Sequence, residues 1–244
     1  MAGDNEMGFL DHLEELRWRI IKALLGVVAG GIVMGVFIDW IMNYVIFAPA
    51  ANTNPPLSII NLRPYGQFLI YMEVILIGGA VISVPNIIYQ FWKFIEPALM
   101  PNERRYVTSV VIFTSVCFLT GALFAYFIML PAALGFFATF GTTIIENKIA
   151  ADEYMSFVLS LVIAAGIVFE LPMLSFFLSK LGILKPQFMR KNRKYAIVII
   201  LLIAGIVTPG PDITSQLMLG IPLLVLYEIS IYICKFSQKK KSES

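Results

Sequence analysis

The sequence contains one histidine and two cysteines in 244 residues, and only 14% of it is charged. Soluble domains carry about 25% charged residues. A hydrophobic content of 59% and a mean hydropathy of +0.82 exclude a soluble core as the reason for the deficit. With His12 alone there is no HExxH pair to hold zinc, and Cys117 and Cys234 form no CxxC. Two cysteines in apolar runs are too few for a disulfide framework and read as packing residues. No GxxxxGK[ST] loop is present to cradle a nucleotide phosphate. An intramembrane serine protease needs a histidine base at membrane depth, whereas His12 lies in a charged arm ahead of the first apolar run. No catalytic residue, metal or other cofactor is therefore expected, and the chain does not read as an enzyme. The net charge of +2 is too small to point to nucleic acid.

A secretory signal is missing as well. Asp4, Glu6, Asp11, Glu14 and Glu15 stand where a positive n-region belongs, and the apolar run Ala23 to Ile38 exceeds the usual core of about 7 to 15 residues. Ala48-Pro49-Ala50 resembles a cleavage site only superficially, so the segment is expected to stay attached.

What the chain does have is apolar length. A span needs about 20 apolar residues at 1.5 Å each. Six stretches qualify or come close, at about 20–38, 68–94, 106–130, 154–179, 195–207 and 213–234. They predict an all-α polytopic membrane protein with a single transmembrane domain. Ahead of the first, Leu10, Leu13, Leu16 and Ile20 recur at helical spacing, and Asp11 with Glu14 reads as a capping pair. Residues 1–19 thus form an amphipathic arm starting its helix near Asp11, with His12, Glu15 and Arg19 on its other faces. Trp40 and Tyr44 suit the far interface. Prolines and asparagines between Pro49 and Pro64 rule out a span there. In the second span Glu73 falls near the outer end and Pro85 bends the inner half. Glu96-Pro97 and Pro101 stop it before a charged loop with Glu103, Arg104 and Arg105.

Charge fixes the expected orientation. Sixteen of the eighteen Lys and Arg residues fall in the odd-numbered non-membrane segments of a six-span chain or, for Lys22 and Lys93, at the span ends that border them, and Arg63 and Lys148 alone fall in the even ones. That bias places both termini inside, with residues 235–244 as a basic tail. A further span at Pro131 to Ile145 would move six positive charges outside, so the third span is expected to end near Pro131 with an external loop beyond it.

The fourth span, Tyr154 to Ser179, is the centre of the pattern: twenty-six residues with one ionisable group, Glu170. An acid at the centre of a membrane helix costs about 2.5 to 3.5 kcal/mol even on lenient scales. It should face protein. Pro172, two residues on, breaks the hydrogen-bond ladder beside it. The thirteen residues of the fifth run, Tyr195 to Val207, reach only about 20 Å against a core of about 30 Å. Thr208 and Gln216 are polar at membrane-adjacent depth, and Glu228 reads as a second buried acid near the inner face. Interhelical hydrogen bonding accounts for these three as well as a partner site does.

Five separated motifs now stand out: HLEELRWRI at His12 to Ile20, YQFWKFIEPALMPNERR at Tyr89 to Arg105, GALFAYFIMLPAALGFF at Gly121 to Phe137, SFVLSLVIAAGIVFELP at Ser156 to Pro172, and TPGPDITSQLMLGIPLLVLYEI at Thr208 to Ile229. In this order they resemble the TatC family, the signal-receptor subunit of the twin-arginine protein translocase. The likeness spans nearly the whole chain. It implies a glove-shaped bundle of six helices with short fifth and sixth helices and both termini in the cytoplasm, in the inner membrane of a prokaryote. It also implies that twin-arginine signal peptides of folded cargo bind at Glu15 and Glu103, with Leu16, Arg17, Phe94, Pro97 and Arg105 in the same motifs. Two guanidiniums suit planar carboxylates that accept paired hydrogen bonds. Glu170, Thr208 and Gln216 match positions where the single-span TatA and TatB types dock in homo- and hetero-oligomers. One departure stands out: Pro209-Gly210-Pro211-Asp212 is a residue longer than the commoner proline–aspartate turn, which shifts the depth of Gln216 relative to Thr208.

The expected function is a receptor and scaffold for protein export, driven by the proton gradient. The competing reading is a proton-coupled transporter with Glu170 and Glu228 as a relay, but the paired repeats usual in transporters are not visible. A passive membrane protein is the third.

Overall fold

The structure, a computed structural model, describes residues 9–98, 104, 107–140, 148–180, 182–207 and 213–242. Almost all of them are helical. Helix α1 is Phe9–Val36 and α2 is Ile38–Ile41; a π-helical turn, Met42–Ile46, leads to α3, Ala48–Ala51. After strand β1, Ser58–Ile60, come α4, Gly66–Ile82, and α5, Val84–Ile95. Helix α6 is Val107–Phe124, followed by a second π-helical turn, Ala125–Met129, and α7, Leu130–Thr139. Strand β2, Lys148–Ala150, precedes α8, Ala151–Val168, and α9, Leu171–Lys180. The last three are α10, Pro186–Lys191, α11, Arg193–Val207, and α12, Ile213–Ser242.

Four helical runs among the described residues are long and apolar enough to cross a membrane: Asp11–Val36, Val107–Thr139, Ala151–Lys180 and Leu219–Phe236. Gly66–Ile82 and Val84–Ile95 form a fifth run, bent by 53°. The bend sits at Ser83, with Pro85 in the first turn of α5, where its missing N–H is harmless. At 15 residues, α11 falls below span length.

The arm helix is described from Phe9 and runs unbroken to Val36. The helix of the third span does not stop at Pro131. Pro131 enters the first turn of α7 directly after a π-helical turn, which loosens the ladder where proline cannot donate, so the helix continues to Thr139. Leu130, Ala133, Leu134 and Ala138 then form a buried stripe at helical spacing, giving the extension a core to pack into. The sixth helix is not short: α12 is 30 residues long and carries Pro222 inside it, running through the span into the basic tail.

The chain packs as two compact units. One comprises the chain to Ile38 with Met72–Ser115; the other comprises Asp39–Tyr71 with Val116 onward. In the first, α1 and α4 meet through glycine. A Cβ at Gly30 would fall 2.5 Å from the Gly79 carbonyl oxygen, and one at Gly79 would fall 2.5 Å from the Gly31 nitrogen, so neither position admits a side chain. In the second, β1 and β2 pair in parallel, Ser58 with Lys148 through Ile60 with Ala150. Arg63 and Asp152 add an ion pair at 3.4 Å. The carbonyls of the first π-helical turn are used from outside it: Tyr126 donates to Val45 O at 2.8 Å, and buried Tyr154 donates to Ile46 O at 2.6 Å. In a medium that supplies no water, such donors hold an irregular turn in place.

Candidate signal-binding surface and membrane acid

The arm and the end of the second span are joined along one antiparallel seam. Ser83 just before α5, with Asn86, Gln90 and Phe94 on it, recur at spacings of three and four, and the first three make a polar stripe on an otherwise apolar segment. Each finds a partner on α1. Ser83 Oγ donates to Gly26 O at 2.7 Å, and Asn86 Nδ2 donates to Lys22 O at 3.2 Å. Gln90 Oε1 accepts from Arg19 Nη1 at 3.4 Å, and the His12 ring stacks on Phe94 at 4.4 Å with 19° between planes. Glu15, one turn from both His12 and Arg19, accepts two bonds from Arg19 on a single oxygen: Nη2 at 2.9 Å and Nε at 3.3 Å from Oε1. Its Oε2 makes no hydrogen bond among the described residues.

Of the sequence-derived residues, Phe94 on α5 lies in the seam through His12, and Glu15 on α1 is tied to it through Arg19, which bonds both Glu15 and Gln90; Leu16 and Arg17 follow Glu15 on α1. Pro97 lies in the 3-10 turn that follows α5, and its carbonyl accepts from Arg104 at 3.0 Å. Lys93 and Glu96 close an ion pair at 2.8 Å on the same edge. Arg17 is exposed and makes no ion pair among the described residues. Glu103 and Arg105 lie outside the described residues. Sequence reasoning passed over His12, Asn86 and Gln90, although the stripe of polar residues in an apolar helix was a sufficient signal.

The fourth span breaks where expected. Helix α8 ends at Val168 and α9 begins at Leu171 with Pro172 in its first turn, leaving Phe169 and Glu170 in a turn inside one 30-residue span. Pro172 has no N–H to give the Val168 carbonyl. Both carboxylate oxygens of Glu170 are buried with no hydrogen-bond partner among the described residues. The Phe169 ring packs on Phe124 at 5.4 Å, anchoring the turn against α6. Buried polar groups normally have partners, and an orphaned acid is costly.

The hairpin of α11 and α12 is stitched from within. Gln216 Nε2 donates to Leu201 O at 2.8 Å, across to the other helix. Gly205 is what lets it reach, since a Cβ there would sit 3.1 Å from the Gln216 nitrogen. Interhelical bonding therefore uses the amide of Gln216, while its Oε1 is left without a bond among the described residues. Thr208 lies outside the described residues, as does the turn from Pro209 to Asp212. Glu228 is not a buried acid: its side chain is 42% exposed and pairs with Arg193 Nη2 at 2.6 Å. The first turn of α11 supplies that cation, which a reading confined to the sixth span could not supply. Cys234 is buried beside Met189 and Ile231, as packing demands.

Residues 11–222 match the family described as Sec-independent protein translocase protein (TatC). The Sec-independent protein translocase protein TatC of Carboxydothermus hydrogenoformans is 36% identical over 238 residues, covering 98% of this chain and 97% of that one. That of Aquifex aeolicus is 38% identical over 239 residues, covering 97% and 98%. A crystal structure of the twin arginine translocase receptor TatC superimposes with a TM-score of 0.82 at 39% identity, covering 93% of this chain and 99% of that one. Several membrane-length helices together with full-length likeness to translocase components make this a multi-pass membrane protein of the twin-arginine export system, outside the enzyme families. The chain belongs to the TatC family.

Proposed function

We propose that this chain is the non-enzymatic receptor of a twin-arginine export complex and that the seam between α1 and α5 is its signal-binding surface. One observation carries the reading: the His12–Phe94 stack holds the arm that bears Glu15 against the helix leading into the Glu103 loop. Leu16, Arg17, Pro97 and Arg105 border the same surface in this reading. A carboxylate with one oxygen unbonded, on a helix face a fifth exposed, suits a cargo guanidinium. The chain has six spans, with α11 as the short fifth, and both termini lie in the cytoplasm of a prokaryote, a reading supported by the bias of sixteen charges to one side.

Glu170, Thr208 and Gln216 recruit the single-span TatA- and TatB-type partners. An acid with no internal hydrogen bond is satisfied by a polar group on an arriving helix. Lacking a nucleotide loop, the complex draws on the proton gradient. The test is binding of a labelled signal peptide to the full chain in lipid nanodiscs. Glu15→Gln and Glu103→Gln each weaken the paired-arginine peptide by more than they weaken a paired-lysine control, which starts at lower affinity. Equal affinity of wild type and both variants overturns the assignment.

A further inference from the structure

The carboxylate assigned to the cargo is not vacant: Arg19 already holds it. We propose that Arg19 is an internal stand-in for the cargo guanidinium, so that a signal docks by exchanging one arginine for another, and that this exchange sets the preference for arginine over lysine. The inference rests on the reading that Glu15 is the receiving carboxylate.

The geometry separates this from an ordinary helix-stabilising pair. Glu15 and Arg19 are four residues apart in the favourable order, which by itself strengthens a helix slightly. Arg19, however, has a second acceptor on a different helix, Gln90 Oε1 at 3.4 Å, and Gln90 is 8% exposed and fixed in turn by Asn86 at 3.4 Å. When Glu15 releases the guanidinium, Gln90 keeps it from being stranded, since an arginine left without an acceptor beside a buried seam carries a desolvation cost. Both bonds from Arg19 fall on Oε1, and Oε2 stays open. An incoming side chain can therefore engage Oε2 first and complete the exchange afterwards. A guanidinium replaces the fork of Arg19 with an equal fork. An ammonium, a compact point charge, offers no such replacement and competes poorly.

The experiment uses the full chain in nanodiscs and fluorescent signal peptides bearing paired arginines or paired lysines. Arg19→Met keeps the apolar stem and removes the competitor. It is expected to tighten the arginine peptide about two- to fivefold, the range set by a partly exposed ion pair, and to tighten the lysine peptide by more, so that discrimination shrinks. Gln90→Leu removes the refuge and is expected to weaken both peptides, and adding it to Arg19→Met changes nothing further. Arg19→Lys falls between wild type and Arg19→Met, and decides the matter if the methionine variant does not elute as a folded monodisperse species. If Arg19→Met and Gln90→Leu both weaken binding, or Arg19→Met leaves it unchanged, Arg19 is only structural and the inference is overturned. Glu15→Gln separates the two failures. If it leaves the arginine peptide unaffected, the receptor reading itself is wrong; if it weakens the peptide while Arg19→Met does not tighten it, only the exchange falls.

Discussion

Glu15 and Glu170 are both acids placed where a partner is wanted, yet the chain treats them in opposite ways. Glu15 sits about a fifth exposed on a seam rich in donors and is matched by an arginine one turn away. Glu170 sits in a helix break with both oxygens buried and no hydrogen-bond partner among the described residues. A matched acid can be held in reserve at little cost and released by competition. An unmatched acid destabilises the free protein, and that cost is recovered only when something else arrives to satisfy it. In the proposed reading, the difference suits the arm region to exchange and the fourth span to completion.

Substitution at Glu15 should give the largest effect. Removing the charge at the receiving oxygen costs about 1.5 to 3 kcal/mol, the value of hydrogen bonds to charged groups, or about ten- to a hundredfold in signal affinity. The same change at Glu170 should leave signal affinity unaltered while export of a folded reporter is lost; equal loss of peptide binding in both variants would erase the contrast. Next in size is a control on irregular backbone that carries neither acid. Tyr154→Phe removes the donor to Ile46 O and should lower thermal stability by about 1 to 3 kcal/mol in detergent.

Glu170→Met sharpens the comparison through its sign. Replacing an orphaned buried acid with an apolar side chain of similar length should stabilise the isolated chain by about 1 kcal/mol or more, read as a higher melting temperature, even as export fails. A drop in melting temperature would show that the acid is satisfied in the free protein. The smallest effect belongs to Glu228→Gln. Its pair with Arg193 is 42% and 46% exposed, so its loss should cost less than about 1 kcal/mol and vanish in high salt.

The parts of this molecule that local chemistry decides are legible in the sequence. Pro85 and Pro172 mark the bend at Ser83 and the break at Glu170 because proline's missing donor acts within one turn. Pro131 follows the same rule yet interrupts nothing, since a π-helical turn just before it absorbs the defect, and such turns leave no composition signal. Strands β1 and β2 are three residues each and pair across about ninety residues of chain, too short for periodicity to register. The acid at Glu228 was misplaced for a similar reason, its cation being thirty-five residues away. The candidate residues Glu15 to Arg17 and Phe94 come from the motif resemblance alone. Their geometry does not, because the partners of Arg19 and Glu15 are fixed only once α5 is laid along α1.

The contact of Gly30 with Gly79 carries a mechanical consequence. With backbone touching backbone and no side chain to yield, that crossing is a fulcrum, and the unbroken helix from Phe9 to Val36 is a stiff beam resting on it. A load applied at the arm cannot be absorbed by bending near its own end. It tips the whole beam, so that in the proposed reading a tag of a few residues gripping the arm would be felt at the far end of the same helix.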